Sequence, residues 1–205
     1  MGRSKVKAKK GSGVLEMRKE SSDSIIFTDP EGYEQEFRVG HTVFVKASGE
    51  PSYIAKVLQI DKKQERIKLN WYYKPEDVKG GRQPWHGKRE VFQTKVCDWN
   101  PFGCIEGVCA VHTLEKYENL PEFSEIDHYC RFHYSPHSGA FKPDIVPVYC
   151  ICEIPYNPDR PMVECEACND WFHYDCVGYE DRTNRQDFVC AECAATRSKR
   201  QKRVK

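Results

Sequence analysis

Short runs in which apolar and polar residues alternate dominate the first three quarters of the chain. The alternation is clearest in residues 53–60 and 67–73, which the polar stretch 61–65 separates. Because successive side chains of a strand point to opposite faces, this pattern predicts a β-hairpin. Shorter patterns predict further strands at 43–45, 90–92, 105–111 and 129–134, and a single helical turn at 114–117. The fold class predicted for residues 25–146 is therefore mostly β, a curled sheet or a distorted barrel.

The second strand of this hairpin carries four side chains that share one face: Ile67, Leu69, Trp71 and Tyr73. Tyr53 opens the neighbouring strand, so its ring is expected within reach of that face. Aromatic residues of strands mostly belong to hydrophobic cores. Three aromatic rings can also form a box for a methylated ammonium group, and the pattern alone leaves both interpretations open.

The composition suits one domain of ordinary size and a second, small one stabilised by metal. The chain has 205 residues, of which 39% are hydrophobic, and no apolar run approaches the roughly 18 residues of a membrane span. The N-terminus carries no apolar signal segment, so secretion and membrane association are not expected. The 11 cysteines are accordingly interpreted as thiols and metal ligands, not as disulfides.

Charge is segregated along the chain, although the net charge is only +1. Residues 1–13 carry five Lys and Arg and no acid, and residues 196–205 carry six. We predict a disordered basic arm at 1–24 and a basic tail at 196–205, for which solubilisation, nuclear import and weak DNA contact remain alternatives. Residues 147–195 hold ten acids against three Arg, which favours a basic peptide over DNA as partner.

Eight residues with metal-binding side chains lie near the C-terminus, in the order four Cys, one His, three Cys. In a cross-braced arrangement alternate pairs share an ion. One structural zinc is then bound by Cys150, Cys152, His173 and Cys176. The second is bound by Cys165, Cys168, Cys190 and Cys193. Two closed four-ligand sites leave no position for a catalytic water, so the sequence predicts no enzyme and no catalytic residue.

The remaining four cysteines, Cys97, Cys104, Cys109 and Cys130, form no C-x-x-C pair and are predicted to be buried or surface thiols, with an unusual metal site as the alternative. RING domains share the cross-brace, so a RING-like ubiquitin ligase is one alternative. Here the histidine is the fifth ligand, the first spacing is C-x-C, and Phe188 lies two residues before Cys190. These features resemble the plant homeodomain (PHD) finger.

The run W-Y-Y-K-P-E at residues 71–76 resembles a strand of the bromo-adjacent homology (BAH) domain. I-E-G at 105–107 and Y-C-R-F at 129–132 extend the resemblance, which covers about residues 33–146. A BAH domain followed by one PHD finger resembles plant chromatin readers of that architecture. The resemblance implies a distorted β-barrel in residues 25–146 and a cross-braced two-zinc finger in residues 147–195.

The resemblance also implies two methyl-lysine cages. The BAH cage would comprise Tyr53, Trp71 and Tyr73 and bind trimethylated lysine 27 of histone H3. The PHD cage would comprise Tyr149, Tyr156, Met162 and Trp171 and bind di- or trimethylated lysine 4. Glu166 and Glu164 would contact the histone tail. The alternative for both aromatic sets is a structural role in the hydrophobic core or on the surface.

The function expected from these observations is non-enzymatic chromatin reading in the nucleus. The resemblance implies transcriptional regulation, either silencing or developmental timing such as flowering. The expected partners are the methylated H3 tail and the nucleosome, with repressor or deacetylase complexes as further partners. A DNA-binding or scaffold protein that uses its basic tails is the remaining alternative.

Overall fold

The structure is a computed structural model, and it describes residues 24–28, 32–47, 52–180 and 188–202. The predicted basic arm, apart from Ser24, and the last three residues of the predicted basic tail lie outside the described residues. The chain divides into two compact units. One comprises the chain up to Arg82 and the residues from Arg89 to Asp144, and the other comprises Gln83–Lys88 and the chain from Ile145 onward.

The first unit is built almost entirely of strands. Their bounds are β1 (Ser24–Thr28), β2 (Glu34–Arg38), β3 (Thr42–Val45), β4 (Tyr53–Asp61), β5 (Arg66–Tyr73), β6 (Phe92–Pro101), β7 (Ile105–His112), β8 (Asp127–Tyr129), β9 (His133–Ser135) and β10 (Ala140–Lys142). The helix α1 spans Leu114–Glu118, and two 3-10 turns span Pro75–Asp77 and Phe102–Cys104. The unit is therefore mostly β, as predicted.

Eight of these strands form one sheet in the order β10-β9-β6-β5-β4-β3-β7-β8, while β1 and β2 pair with each other. The edge strand β8 also bonds to the chain that enters β6. The Val91 N–H donates to the Tyr129 carbonyl at 2.9 Å, and the Tyr129 N–H donates to the Arg89 carbonyl at 3.1 Å. These bonds curl the sheet back on itself, so the predicted distorted barrel is confirmed.

The predicted hairpin is confirmed as β4 and β5, which pair antiparallel, and the predicted helical turn is confirmed as α1. Two other strand predictions were incomplete. Residues 129–134 do not form one strand, because β8 pairs with β7 and β9 pairs with β6 and β10. Residues 93–101 continue β6 although most of their side chains are exposed, because backbone pairing with β5 holds them.

The main hydrophobic core of the first unit lies between the sheet and the β1–β2 pair. Its buried side chains are Ile25, Phe27, Phe37, Val43, Val45, Ala55, Val57, Ile67, Leu69 and Phe102. Ile67 and Leu69 are fully buried, and the half-buried Trp71 packs against the same cluster. The predicted shared face of β5 is therefore confirmed from Ile67 to Trp71.

A buried ion pair joins the two segments that close the sheet. Glu90 is 1% exposed and accepts two bonds from the guanidinium of Arg131, Nε to Oε1 at 2.6 Å and a second nitrogen to Oε2 at 3.2 Å. Such a bidentate arrangement is the strong form of carboxylate recognition by arginine. Because Glu90 precedes β6 and Arg131 follows β8, the pair joins the two closing segments at a fully buried carboxylate.

The second unit contains two short antiparallel pairs. One joins β11 (Val148–Tyr149) to β12 (Ile154–Pro155), and the other joins β13 (Met162–Glu164) to β14 (Trp171–His173). The helix α2 spans Tyr174–Val177 and ends at Gly178, whose φ of 64° is the left-handed geometry that glycine adopts freely. The helix α3 spans Ala191–Lys202, so it includes much of the predicted basic tail.

Gln83–Lys88 packs within the second unit, although it lies inside the stretch predicted from sequence as the first domain. The side chain of Asn157, 5% exposed, donates from Nδ2 to the carbonyls of Pro84 at 2.9 Å and His86 at 3.4 Å. The Lys88 N–H donates to Asp159 Oδ2 at 2.5 Å. Among the residues that the structure describes, no helix is both long and apolar enough to cross a membrane.

Candidate functional site: an aromatic pocket and two metal centres

The eight predicted metal ligands gather into two clusters in the second unit. Cys150, Cys152, His173 and Cys176 form one, and Cys165, Cys168, Cys190 and Cys193 form the other. Within each cluster the ligand atoms all lie within 4.8 Å of one another. The structure therefore groups the ligand pairs alternately, as the cross-braced spacing predicts.

Local backbone geometry turns the sulfur atoms of these clusters inward. Cys150 and Asn169 have φ values of 66° and 62°, which are left-handed turns beside a ligand. The His173 N–H points to Cys150 Sγ at 3.4 Å, and the Cys190 N–H points to Cys165 Sγ at 3.3 Å. The latter bond lowers the pKa of the Cys165 thiol to about 6, whereas burial and the neighbouring Cys165 sulfur raise the pKa of Cys168 in the same cluster.

His173 is oriented as a ligand. Its side chain is fully buried, with Nδ1 at 3.3 Å from Cys152 Sγ and 3.9 Å from Cys176 Sγ. A buried imidazole whose nitrogen faces three sulfur atoms is the donor set of a tetrahedral metal site. The residues present therefore fit two closed metal centres with thiolate and imidazole ligands, which could bind zinc.

The other four cysteines lie in the first unit and outside both clusters. Burial raises the pKa of the Cys109 thiol to about 12 and that of the Cys104 thiol to about 11. These two side chains are therefore protonated at neutral pH and act as small apolar residues.

A pocket of about 450 Å³ opens on the first unit. It is lined by Tyr53, Trp71, Tyr72, Tyr73, Asp77, Val96 and Asp98. The rings of Tyr53 and Trp71 stand nearly perpendicular, at 80° with 6.1 Å between centroids. All three residues predicted for the BAH cage thus line one pocket. Tyr72 lines it as well, although its ring packs largely into the core, where burial raises the pKa of its hydroxyl to about 12.

Polar contacts fix the start of β4, where Tyr53 lies. The Lys74 ammonium donates to the Ser52 carbonyl at 2.9 Å, and the Ser52 hydroxyl donates to Glu106 Oε2 at 2.6 Å. Burial lowers the pKa of Lys74, although the nearby carboxylate of Asp77 opposes the shift. Lys74 thus ties the end of β5 to the residue before the Tyr53 ring.

A bulge in β6 lies beside Trp71. Between the pairs Asn70–Cys97 and Tyr72–Gln93, three residues of β6 stand opposite the single residue Trp71 of β5. The Asn70 side chain, 8% exposed, donates to the carbonyls of Thr94 at 3.0 Å and Val96 at 2.9 Å. The Thr94 hydroxyl donates to the Trp71 carbonyl at 2.8 Å. Bulges of this kind often redirect a side chain at a functional site.

Sequence reasoning missed Asn70, Thr94, Asp77 and Asp98 as parts of this site. A polar Asn in the middle of an apolar strand was the one signal available for Asn70. The two aspartates give the pocket a negative character, and its rings offer their electron-rich faces. Such a pocket can bind a cation that carries an apolar shell, as an alkylated ammonium does.

The residues predicted for the PHD cage lie on different elements of the second unit. Tyr149 belongs to β11 and Tyr156 follows β12, whereas Met162 and Trp171 belong to the β13–β14 pair. The register pairs Glu164 with Trp171 and Met162 with His173, so Met162 lies diagonal to Trp171. Trp171 is 43% exposed and Tyr149 is 37% exposed, so a partner can reach both rings.

The two acids predicted to contact a histone tail are both exposed. Glu164 Oε1 accepts a bond from Asn169 Nδ2 at 3.0 Å. Glu166 follows the ligand Cys165, and its backbone N–H donates to the Phe188 carbonyl at 3.0 Å. The side chains therefore lie on the surface beside β13, where solvent and a partner can reach them.

Two known domain families match the chain, one over each of the two units. Residues 35–144 match the model of the BAH domain family, and residues 145–200 match that of the UBR7-like PHD finger. The chain is 44% identical over 165 residues to chromatin remodeling protein EBS of Arabidopsis thaliana, which covers 77% of this chain and 70% of that protein. It is 41% identical over 163 residues to chromatin remodeling protein SHL of the same plant, covering 76% and 72%.

A shorter similarity concerns the finger region alone. Histone lysine demethylase PHF8 of Danio rerio is 49% identical over 53 residues, which is 25% of this chain and 5% of that protein. The similarity to EBS and SHL, in contrast, extends over most of the chain and includes both domains. The chain therefore belongs to the family of proteins in which a BAH domain precedes a PHD finger, together with EBS and SHL.

Proposed function

We propose that this protein is a nuclear chromatin reader that binds methylated lysines of the histone H3 tail. The BAH domain takes trimethylated lysine 27, and the PHD finger takes di- or trimethylated lysine 4. The observation that carries the proposal is the pocket between Tyr53, Trp71 and Tyr73, with its two aspartates. The similarity to the chromatin remodeling proteins EBS and SHL supports the same setting.

A trimethylated ammonium suits this pocket for a physical reason. The group is cationic but has no N–H to donate, so it loses little when aromatic faces replace its water. A pocket of about 450 Å³ is also large enough to surround the end of a lysine side chain. Free lysine would have to give up three hydrogen bonds to water, which the rings cannot replace.

The finger offers a second set of aromatic residues among acidic ones. Trp171 and Tyr149 are exposed beside two structural zinc centres, for which the thiolate and imidazole ligands are the usual donors. Its acids would attract a basic tail and speed its association. The tail would add as a strand beside β13, where Glu164 and Glu166 could contact its arginine.

Titration of the full-length zinc-loaded chain with H3 peptides tests the BAH assignment. The Trp71→Ala variant should lose about tenfold or more in affinity for a peptide trimethylated at lysine 27. The matched control is Trp99→Ala, which removes a 37% exposed indole of the same sheet that lies under Arg66 and outside the pocket. Equal losses in both variants, or no preference for the trimethylated over the unmethylated peptide, would refute the assignment.

The PHD assignment is tested in the same chain with peptides that carry lysine 4 in its different methylation states. Trp171→Ala should remove the preference for the methylated peptide while two zinc ions per chain remain bound. Trp171→Tyr keeps an aromatic face and should retain most of the preference. A finger that binds all methylation states alike would exclude Trp171 from any methyl-lysine site.

The rival functions make different demands. A RING-like ubiquitin ligase would ubiquitinate itself in the presence of a conjugating enzyme, and we expect none because the finger matches a PHD model. A DNA-binding protein that used its basic tails would show a steep salt dependence and no methyl preference. Repressor or deacetylase complexes could still join as partners of a histone-bound protein, and co-purification with each peptide-binding variant would reveal them.

A further inference from the structure

The indole nitrogen of Trp71 is not directed at random. It donates to Asp98 Oδ1 at 2.9 Å, and the same oxygen accepts a bond from Asn100 Nδ2 at 2.6 Å. Asp98 and Asn100 both lie on β6, two positions apart, so they share a face of that strand. Hydrogen bonds therefore connect Asn100 to Asp98 and Asp98 to the Trp71 ring, which forms one wall of the pocket.

We propose that Asp98, held by Asn100, is the positioning residue that fixes the Trp71 ring across the aromatic pocket. An indole has two side-chain torsions, and a half-exposed one can adopt several rotamers unless a contact selects one. The bond to Asp98 selects the rotamer in which the ring stands at 80° to Tyr53. Charge-assisted bonds of this type are about twice as strong as neutral ones.

The β6 bulge explains why Asp98 can reach this nitrogen. In the ladder Asp98 pairs with Leu69, two residues before Trp71, and the three residues 94–96 opposite Trp71 bring the strand around it. Asn70 and Thr94 hold the bulge by its backbone, while Asp98 holds the ring by its edge. The backbone and the side chain of Trp71 are thus fixed by separate contacts.

The role of Asp98 can be measured without any ligand. In the full-length chain labelled with ¹⁵N, the Trp71 indole N–H signal is assigned by its absence in Trp71→Phe. Exchange of this proton with water should quicken by up to about tenfold in Asp98→Ala, because the bond that protects it is lost. Asp98→Asn keeps an oxygen acceptor and should retain slow exchange. Asp77→Asn removes a charge from the same pocket and should leave the exchange unchanged.

Affinity then tests whether the positioning matters, and this arm alone rests on the proposed function. Asp98→Ala should weaken binding of the peptide trimethylated at lysine 27 by about five- to tenfold, whereas Asp98→Asn should stay within about threefold of the natural chain. In a Trp71→Phe background, which has no N–H to hold, Asp98→Ala should cost little more. A large further loss there would mean that Asp98 contacts the peptide directly, which would overturn a positioning role.

Two results separate the failure of this inference from the failure of the proposed function. Unchanged indole exchange in Asp98→Ala overturns the inference whatever the chain binds. Quickened exchange in a chain that shows no methyl-lysine preference leaves the positioning of Trp71 established and refutes only the ligand. Fast exchange in Asp98→Asn equal to that in Asp98→Ala also overturns it, because the acceptor would then be irrelevant.

Discussion

The two units are stabilised in different ways. The BAH unit buries a large apolar cluster that includes Phe37, Val57 and Leu69. The finger buries one small cluster, and two of its three buried members, Cys165 and Cys190, are metal ligands. Removal of apolar surface from water stabilises the first unit, whereas metal binding must provide most of the folding free energy of the second.

In the proposed function, one kind of recognition would therefore rest on two kinds of scaffold. In the BAH unit the pocket is an extension of the core, since Trp71 packs against the buried cluster with one part of its ring and lines the pocket with another. In the finger Trp171 is directly followed by buried Phe172 and the ligand His173. The first aromatic site should therefore depend on core packing and the second on metal.

Removal of metal should produce the largest loss of stability, and only the finger should unfold. A strong chelator should unfold the finger, because each closed site contributes on the order of 10 kcal/mol. Amide signals of β13 and β14 should collapse in NMR spectra, while those of β4 and β5 should persist. Cys165→Ser should have the same effect, and Cys97→Ser, at an exposed cysteine outside both clusters, should retain both ions. Loss of the β4 and β5 signals as well would contradict the comparison.

The next largest effect is expected at the closure of the BAH sheet. Glu90→Ala would leave the guanidinium of Arg131 without its buried partner, at a cost of about 3–5 kcal/mol. Urea unfolding followed by a probe in the BAH unit measures this loss, and zinc content should not change. Glu36→Ala removes the exposed partner of Arg38 and should hardly move the urea midpoint, since exposed ion pairs contribute little. Equal shifts for the two substitutions would show that burial is not what makes the first pair important.

Two leucines of the β4–β5 hairpin test how far the stability of the BAH unit depends on its buried core. Leu69→Ala should destabilise the BAH unit by about 2–5 kcal/mol, because the fully buried side chain leaves a cavity. Leu58→Ala makes the same chemical change at a side chain that is 41% exposed and should cost about 0.5 kcal/mol or less. Thermal unfolding of both variants checks the difference, and similar losses would contradict the assignment of Leu69 to the core.

The parts of the fold that could be predicted from sequence have a local signature. The hairpin alternates because its face from Ile67 to Trp71 packs on the core, and the metal ligands keep fixed spacing because short turns must bring pairs onto one ion. Both signals arise within a few neighbouring residues. The fold of β6 has no such signature, since its exposed side chains show no alternation and the strand is held by backbone bonds to β5.

The contacts around the pocket could not be predicted from the sequence for a related reason. Asp98 reaches Trp71 only because the bulge sets the register, and the bulge depends on Asn70, a single buried polar residue. Likewise, no pattern in Gln83–Lys88 indicates that it packs in the same unit as Asn157, more than seventy residues away. Long-range polar contacts of this kind leave no period in the sequence.

The smallest expected effect tests that last contact. Asn157→Ala would remove the amide that donates to the Pro84 and His86 carbonyls, at a cost of about 1 kcal/mol for the lost hydrogen bonds. The metal centres should remain, because Asn157 touches neither cluster, so the loss should appear as faster amide exchange at Lys88 with zinc content unchanged. Asn119→Ala removes an exposed bond from a side-chain amide to the Glu115 carbonyl and should cost less. Unchanged exchange at Lys88 in Asn157→Ala would show that this contact does not hold residues 83–88. Other bonds of that segment, such as the one from Lys88 to Asp159, would then hold it in the second unit.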